Sequence, residues 1–168
     1  MGKIAIIYGS STDNTASAAE KIAAKLSGKD VTVIDVAKLK SADDLKDYSG
    51  LILGTSTMGL GDLQDDWDGF VPQLKKADLS GKTVALFGLG DSASYSDTFV
   101  DGMGSLYEAV KESGANLVGR VAASDYTFDA STAVEGDEFV GLPLDEDNES
   151  DQTDSRIAAW VNQISASF

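Results

Sequence analysis

Residues 3–15 read KIAIIYGSSTDNT and join an apolar run to a polar turn, after which the sequence takes on a helical spacing. The run at 3–8 is almost continuously apolar, which is typical of a strand buried on both faces of a parallel sheet. From residue 19 to residue 26, apolar side chains recur on one face of a helix. A strand, a short turn and a helix in this order predict the first half of a βαβ unit.

The same alternation continues along the chain. Further apolar runs lie at residues 31–35, 50–54, 83–88, 116–121 and 139–144, and helical stripes lie within 63–74, 103–110 and 157–164. We therefore predict an α/β fold with a doubly wound, five-stranded parallel sheet in the order 2-1-3-4-5 and helices on both faces. Residues 122–138 are predicted to be an insertion that splits the fifth strand. We expect residues 1–168 to form a single domain.

The composition excludes several kinds of chemistry. The chain contains no Cys and no His, which excludes disulfides, thiolate or imidazole metal ligands and catalytic triads that use an imidazole base. No run is apolar enough to span a membrane and no signal sequence is recognisable, so we expect a cytoplasmic protein. The formal net charge of −15 disfavours nucleic acid and anionic membrane surfaces as partners and favours a basic protein.

The positive charges are missing from particular segments. No Lys or Arg occurs in residues 47–74, 83–110 or 121–155, and the last of these windows contains eleven carboxylates. Such a distribution suggests more than general solubility, because it leaves whole segments purely acidic.

Three loops are predicted to meet at one edge of the sheet, where the strand order reverses and ligands bind beyond the strands' carboxyl ends. They are the first loop, GSSTDNT (9–15), the second loop, GTSTMGLGD (54–62), and the third loop, GLGDSASYSD (88–97). None contains the GK[ST] of a Walker phosphate loop, and the first has one glycine where a dinucleotide fingerprint needs three. The first and third strands also lack the terminal acidic residues of a phospho-acceptor receiver.

The first loop has the composition of an anion site without a basic side chain. Free amides and the positive end of the helix dipole attract anions to a helix N-terminus. The hydroxyl and amide side chains of residues 10–15 can add donors. The loop by itself leaves a second interpretation open, in which Ser11, Thr12 or Asp13 only caps the helix.

Motifs in all three loops resemble those of flavodoxins. The first loop fits G-[ST]-x-T-x-[NK]-T, the second continues as T-x-T-x-G-x-G-D-L-Q-x-D-W, and the third fits G-L-G-D…Y…F. Residues 134–161, VEGDEFVGLPLDEDNESDQTDSRIAAWV, resemble the long-chain branch of the family, whose insertion splits the fifth strand. The resemblance covers essentially the whole chain and implies a flavodoxin-like fold.

The resemblance also implies one non-covalently bound FMN. The phosphate is expected at Ser10, Ser11, Thr12, Asp13, Asn14 and Thr15. The rest of the cofactor is expected between the second loop (Ser56, Thr57, Met58, Gly59, Gly61), the third loop with its continuation (Gly88, Leu89, Gly90, Asp91, Tyr95, Phe99) and Asp147 in the tail. No metal ligand and no catalytic residue is expected.

Individual roles follow from the same resemblance. Thr57 and Asp147 match positions that hydrogen-bond the ribityl chain, and Gly90 and Asp91 match positions whose backbone binds the pyrimidine edge. Tyr95 matches the ring that stacks on the outer flavin face. Without the resemblance, an exposed loop tyrosine is the simpler interpretation of Tyr95.

Two residues depart from the family's pattern. Met58 stands where an aromatic side chain often covers the inner flavin face, so we expect weaker FMN binding. Asp13 stands where glycine is usual, which predicts a left-handed backbone that Asp tolerates, with its carboxylate facing solvent or capping an amide. The Gly59–Leu60 peptide is expected to flip on one-electron reduction, as in the family. Trp67 lies on an apolar helical stripe and is assigned to the core.

The expected function is that of a low-potential one-electron carrier, not an enzyme, whose FMN shuttles between semiquinone and hydroquinone. The expected partners are redox proteins with basic docking faces, namely a reductase or oxidoreductase donor and a low-potential acceptor, and we expect a monomer. One alternative is an FMN-dependent quinone or flavin reductase on the same fold. Another is a cofactor-free interaction module whose loops are capped by their own hydroxyls.

Overall fold

The computed structural model describes residues 2–10, 13–58 and 61–168. Its strands are β1 (Lys3–Gly9), β2 (Asp30–Asp35), β3 (Gly50–Met58), β4 (Asp62–Leu63), β5 (Thr83–Leu89), β6 (Asn116–Val118), β7 (Val121–Ala122), β8 (Val134–Glu135), β9 (Glu138–Phe139) and β10 (Leu142–Leu144). Its α-helices are α1 (Asn14–Lys25), α2 (Asp65–Lys76), α3 (Asp101–Val110) and α4 (Thr153–Ile164).

The main sheet is parallel and runs in the order β2-β1-β3-β5, with β6 and β10 sharing the outer edge of β5. β6 pairs with the first part of β5, where Asn116 lies opposite Thr83. β10 pairs with the last part, where Leu144 lies opposite Leu89. β4 is the exception to the parallel arrangement, because it lies antiparallel against the end of β3. The predicted order and the split fifth strand are therefore confirmed.

The insertion begins and ends at different residues from those predicted. The chain leaves the main sheet after β6, where Gly119 has a φ of +91°, and it returns only at Leu142. The predicted strand segments 116–121 and 139–144 are each wrong by three residues, because Val121 and Phe139 pair with each other in a small antiparallel sheet, β7-β9-β8. Gly141 marks the return, since a Cβ there would lie 2.1 Å from the carbonyl oxygen of Leu86.

Helices cover both faces of the main sheet, as predicted. On one face, α1 and α4 bury a core that includes Ile6 and Trp160, and on the other, α2 and α3 bury a core that includes Ile7 and Trp67. Successive residues of a strand point to opposite faces, so β1 supplies both cores. Across the described ranges, no helix has the length and apolar composition needed to cross a membrane.

Trp67 belongs to the core, as its place on a helical stripe predicts. Its side chain is 0 % exposed, and its indole Nε1 donates a hydrogen bond to the carbonyl oxygen of Gly54 at 2.7 Å. Gly54 lies within β3 and is the first residue of the segment predicted as the second loop. The indole therefore fixes α2 against the strand that carries part of the candidate site.

Candidate functional site

The three predicted loops meet at the carboxyl ends of β1, β3 and β5, where they line an open cavity together with residues 146–147. The predicted loop bounds are wrong in part, because residues 54–58 continue β3 and residues 88–89 belong to β5. The candidate residues that line it are Asn14, Thr15, Ser56, Thr57, Met58, Leu89, Gly90, Asp91, Tyr95 and Asp147. Thr98 and Glu146 also line the cavity, and sequence reasoning missed both. Each directly precedes a candidate residue, Phe99 or Asp147, and this proximity was the available signal.

The other candidates lie elsewhere or outside the described residues. Ser10 and Asp13 belong to the first loop but do not contribute to the cavity lining, and Gly61 lines a separate groove beside α2 and α3. Gly88 is a residue of β5, and Phe99 is 1 % exposed, so the Phe99 side chain faces the interior. Three candidates lie outside the described residues: Ser11, Thr12 and Gly59.

Two buried hydroxyls of the first loop have no hydrogen-bond partner among the described residues. They are Ser10 Oγ and Thr15 Oγ1, and Thr15 is 0 % exposed. A buried hydroxyl without a partner costs about 1–3 kcal/mol, so such a group usually indicates a missing ligand or water. Ser10 directly follows β1 and Thr15 lies in the first turn of α1, which contains no acidic residue. This end of the site therefore fits an anion that accepts hydrogen bonds.

Asp13 adopts the left-handed conformation that the sequence predicts, with a φ of 67°. It occupies the N-cap position of α1, but its side chain makes no capping hydrogen bond and the residue is exposed. Its backbone carbonyl accepts the first helical bond, from Ser17 N at 2.9 Å. The carboxylate is thus not a helix cap, which removes Asp13 from the capping interpretation of this loop.

The second loop is held by β4 and by α3. Met58 lies opposite Asp62 in the antiparallel pair that β3 forms with β4. Thr57 Oγ1 accepts a hydrogen bond from Gly102 N, in the first turn of α3, at 3.0 Å. The Gly59–Leu60 peptide lies outside the described residues, so its expected flip stays a prediction.

Asp91 organises the third loop. Its Oδ1 accepts hydrogen bonds from Ser94 N at 2.9 Å, from Ala93 N at 3.1 Å and from Asn148 Nδ2 at 2.8 Å. These bonds, led by the one from the Ser94 amide, hold the pKa of Asp91 below its usual value. Tyr95 follows, 46 % exposed, and is the one exposed large hydrophobic side chain among the described residues.

Asp145 is a residue of the site that sequence reasoning missed. It is 0 % exposed, and its Oδ2 accepts hydrogen bonds from both the backbone amide and the hydroxyl of Ser92 in the third loop. Its Oδ1 accepts from Asn148 N at 3.1 Å. Asp145 therefore ties the tail to the third loop. The available signal was an acidic residue placed directly after the apolar segment of β10.

Negative charge is concentrated where the third loop meets the tail. Burial and the nearby carboxylates of Asp91, Asp145 and Glu146 raise the pKa of Asp147. One carboxylate oxygen from each of Asp91, Asp145 and Asp147 lies within 4.8 Å of the other two. The Asn148 amide donates to both Asp91 and Asp145, which offsets part of this charge. No lysine or arginine lines the cavity in the described part of the chain.

Fold and site together define a class of protein, namely doubly wound α/β proteins that bind an anionic ligand beyond the carboxyl ends of the strands and at the start of the first helix. A family model described as Flavodoxin matches residues 6–160. A flavodoxin from Helicobacter pylori is 44 % identical over 168 residues, which cover 100 % of this chain and 99 % of that protein. The chain belongs to the flavodoxin family.

Two further comparisons agree. A flavodoxin from a Synechocystis species is 43 % identical over 166 residues, covering 98 % of this chain and 96 % of that protein. The crystal structure of Fusobacterium nucleatum flavodoxin bound to flavin mononucleotide has a TM-score of 0.94 and 29 % sequence identity, with coverage of 100 % of this chain and 99 % of that one.

The unpartnered Thr15 hydroxyl leads to a prediction. Thr15→Val removes a buried polar group without changing the side chain's shape, so the ligand-free protein should gain about 1 kcal/mol in free energy of unfolding. The stabilisation that inorganic phosphate confers on the wild type should decrease, because a donor to the anion is lost. Urea unfolding with and without phosphate measures both effects.

Thr32→Val is the matched control, because Thr32 is exposed on β2. Thr32→Val should change neither the free energy of unfolding nor the stabilisation by phosphate appreciably. If Thr15→Val destabilised the ligand-free protein and retained the full stabilisation by phosphate, the assignment of this hydroxyl to an anion would be wrong.

Proposed function

We propose that this protein is a one-electron carrier that binds a single FMN non-covalently and that residues 1–168 form one FMN-binding domain. The observation that carries the proposal is the pair of buried hydroxyls in the first loop, Ser10 Oγ and Thr15 Oγ1, which have no hydrogen-bond partner among the described residues. A ligand that ends in a phosphate would satisfy both. A related flavodoxin, from Fusobacterium nucleatum, has been crystallised with flavin mononucleotide.

The cavity offers suitable groups along the length of such a ligand. The hydroxyls of the first loop and the amides at the start of α1 would hold the phosphate. Thr57 and Asp147 line the cavity and would hydrogen-bond the ribityl chain. Met58 and Tyr95 come from different loops and would lie against the two faces of the ring system. When bound, FMN supplies the redox chemistry and accepts one electron at a time.

The chain lacks the side chains that most often act as a base or a nucleophile on a substrate. There is no His or Cys to act as a base or nucleophile, and the described cavity lining contains neither Lys nor Arg. The curated relatives bear the name flavodoxin. A carrier needs only to hold its cofactor and dock partners, whereas a reductase must also bind a second substrate over the flavin. Nothing in the comparisons favours the reductase alternative.

The charge distribution suggests the kind of partner. Exposed acidic residues surround the second and third loops: Asp62, Asp65, Asp66, Asp68 and Asp97. A depression next to the starts of β3 and β5, at the opposite edge of the sheet, is bordered by three lysines and two carboxylates: Lys46, Lys76, Lys82, Asp43 and Asp78. Lys75 lies in the groove that also contains Asp62 and Asp68. The acidic residues around the second and third loops would attract a basic surface. The proposed partners are redox proteins with basic docking faces, and the proposed state is a cytoplasmic monomer.

The same acidic residues would also lower the redox potential of the bound flavin. A carboxylate about 10 Å from the flavin opposes the gain of a negative charge by roughly 0.4–1.7 kcal/mol, or about 20–70 mV for one electron. Several such groups would act in the same direction, so they should make the reduced cofactor more strongly reducing. Salt screens these contributions.

The direct test is titration of the cofactor-free protein with FMN, followed by stepwise reduction. We expect one FMN per chain, a change in the visible flavin spectrum on binding, and two separate one-electron steps. The loaded protein should not oxidise NADPH unless a reductase is added. A chain that ignores FMN would exclude the proposal, and rapid unassisted NADPH oxidation would favour the reductase alternative.

Asp13 provides a prediction about the phosphate end. Asp13→Gly removes a carboxylate from the helix N-terminus and relieves the left-handed backbone, so FMN should bind roughly twofold to tenfold more tightly. Asp13→Asn is the matched variant, because it removes the charge and keeps a residue that tolerates this conformation. We expect Asp13→Asn to show most of the gain. Weaker binding by Asp13→Gly would contradict the proposed place of the phosphate.

The acidic edge provides a prediction about partners. Electron transfer from the loaded, reduced protein to a basic protein acceptor should slow as ionic strength rises, because screening removes the attraction between the docking faces. Transfer to a small anionic acceptor such as ferricyanide serves as the control and should speed up under the same conditions. Stopped-flow rates at several salt concentrations measure both. A rate to the basic acceptor that is independent of salt would argue against electrostatic docking.

A further inference from the structure

The insertion between β6 and β10 is not an isolated appendage, because it returns to the third loop. Backbone amides of Asp129 and Ala130 both donate hydrogen bonds to the carbonyl oxygen of Ser96 at 2.9 Å. The Ser96 hydroxyl donates to Asp129 Oδ2 at 2.8 Å. Ser96 directly follows Tyr95, which lines the cavity. The insertion thus holds the chain one residue beyond the exposed ring.

A second group of contacts holds the chain four to six residues beyond Tyr95. Phe99 N donates to the carbonyl oxygen of Ala130 at 3.2 Å, and the Ser131 hydroxyl donates to the carbonyl oxygen of Phe99. Thr132 N donates to Asp101 Oδ1 at 2.8 Å. Residues 128–133, which we call the clamp segment, therefore contact the chain on both sides of Val100.

Aromatic packing supports the same connection. The Phe99 ring lies among three rings of the insertion, at centroid distances of 5.7 Å from Phe128, 5.9 Å from Phe139 and 6.1 Å from Tyr126. The Arg156 guanidinium of α4 lies over the Tyr126 ring, 4.1 Å from its centroid. The clamp segment is thereby fixed to the body of the protein and can resist movement of the loop.

Val100 shows that the loop needs such a restraint. Its φ is +49°, a left-handed conformation that is a genuine outlier for a β-branched residue. Such a conformation persists only where the surroundings enforce it. Val100 is 0 % exposed, and hydrogen bonds from the clamp segment meet its neighbours Phe99 and Asp101. Without the clamp segment, we expect the chain to relax and the position of Tyr95 to become less defined.

We propose that the clamp segment positions Tyr95 for the cofactor and that Ser131 is a positioning residue for the FMN site. This inference rests on the proposed function, because it concerns FMN. The first half of the third loop is held independently, by Asp91 and Asp145. The clamp segment supplies the matching restraint on the other side of Tyr95.

The test is a comparison of Ser131→Ala in two backgrounds, the wild type and Tyr95→Ala. With Tyr95 present, Ser131→Ala should raise the FMN dissociation constant roughly threefold to tenfold, because it removes both the hydrogen bond that the hydroxyl donates to Phe99 O and the one that it accepts from Ala133 N. With alanine at position 95, the same change should have less than a twofold effect, because the ring that it positions is gone. Urea unfolding of the cofactor-free variants measures any general loss of stability separately.

Three further variants complete the design. Ser131→Thr keeps the hydroxyl and should restore most of the affinity. Ser124→Ala makes the same chemical change at an exposed position of the insertion and should leave FMN binding unchanged. Ser96→Ala removes the side-chain link to Asp129 from the other side, and it should show the same dependence on Tyr95 if Ser131→Ala does not fold.

The outcomes separate the inference from the proposed function. Equal losses of affinity in the two backgrounds, or no loss in either, would overturn the positioning role and leave FMN binding by the wild type intact. Failure of the wild type to bind FMN would overturn both.

Discussion

Parallel pairing of β1 with β2 on one side and β3 on the other determines where everything else in the molecule lies. It brings the carboxyl ends of β1, β3 and β5 to one edge, so three loops that are far apart in sequence face one cavity. Because β1 is buried on both faces, its side chains must be apolar in almost every position. This requirement explains why the polar residues of the site begin abruptly where the strand ends.

Much of this arrangement is local in origin and was predictable. Continuous apolar runs identified the strands, and one helical stripe correctly placed Trp67 in the core. The left-handed Asp13 was predictable from the family resemblance, because glycine is usual at this position and Asp is among the few other residues that tolerate the conformation. The ends of the insertion were not predictable in the same way. Val121 continues the apolar pattern of β6, and only its pairing with Phe139 shows that it belongs to another sheet.

The parts of the site that sequence reasoning missed depend on contacts between distant residues. Asp145 bonds to Ser92 across 53 positions, and no local pattern indicates that an acidic residue after a strand is fully buried. Val100 is a stronger case, because its residue type argues against the conformation that it adopts. Phe99 follows a family motif, but in the structure its ring packs against the insertion. Tertiary contacts outweigh local preference at each of these positions.

The proposed site would hold two negative charges, the phosphate of FMN and the reduced ring, and its acidic residues are unevenly distributed between them. At the proposed phosphate end, the first turn of α1 after Asp13 contains no acidic residue and two buried hydroxyls lack partners among the described residues, so neutral donors would favour an anion there. At the other end, Asp91 and Asp145 are held by amides and hydroxyls of the protein, which satisfies them and leaves the local charge negative. A carboxylate near the ring would oppose added electrons far more than it would oppose a phosphate at the opposite end, because the interaction falls with distance and is screened by salt. The affinity for the cofactor and its tendency to give up electrons can therefore be set by different residues of one cavity.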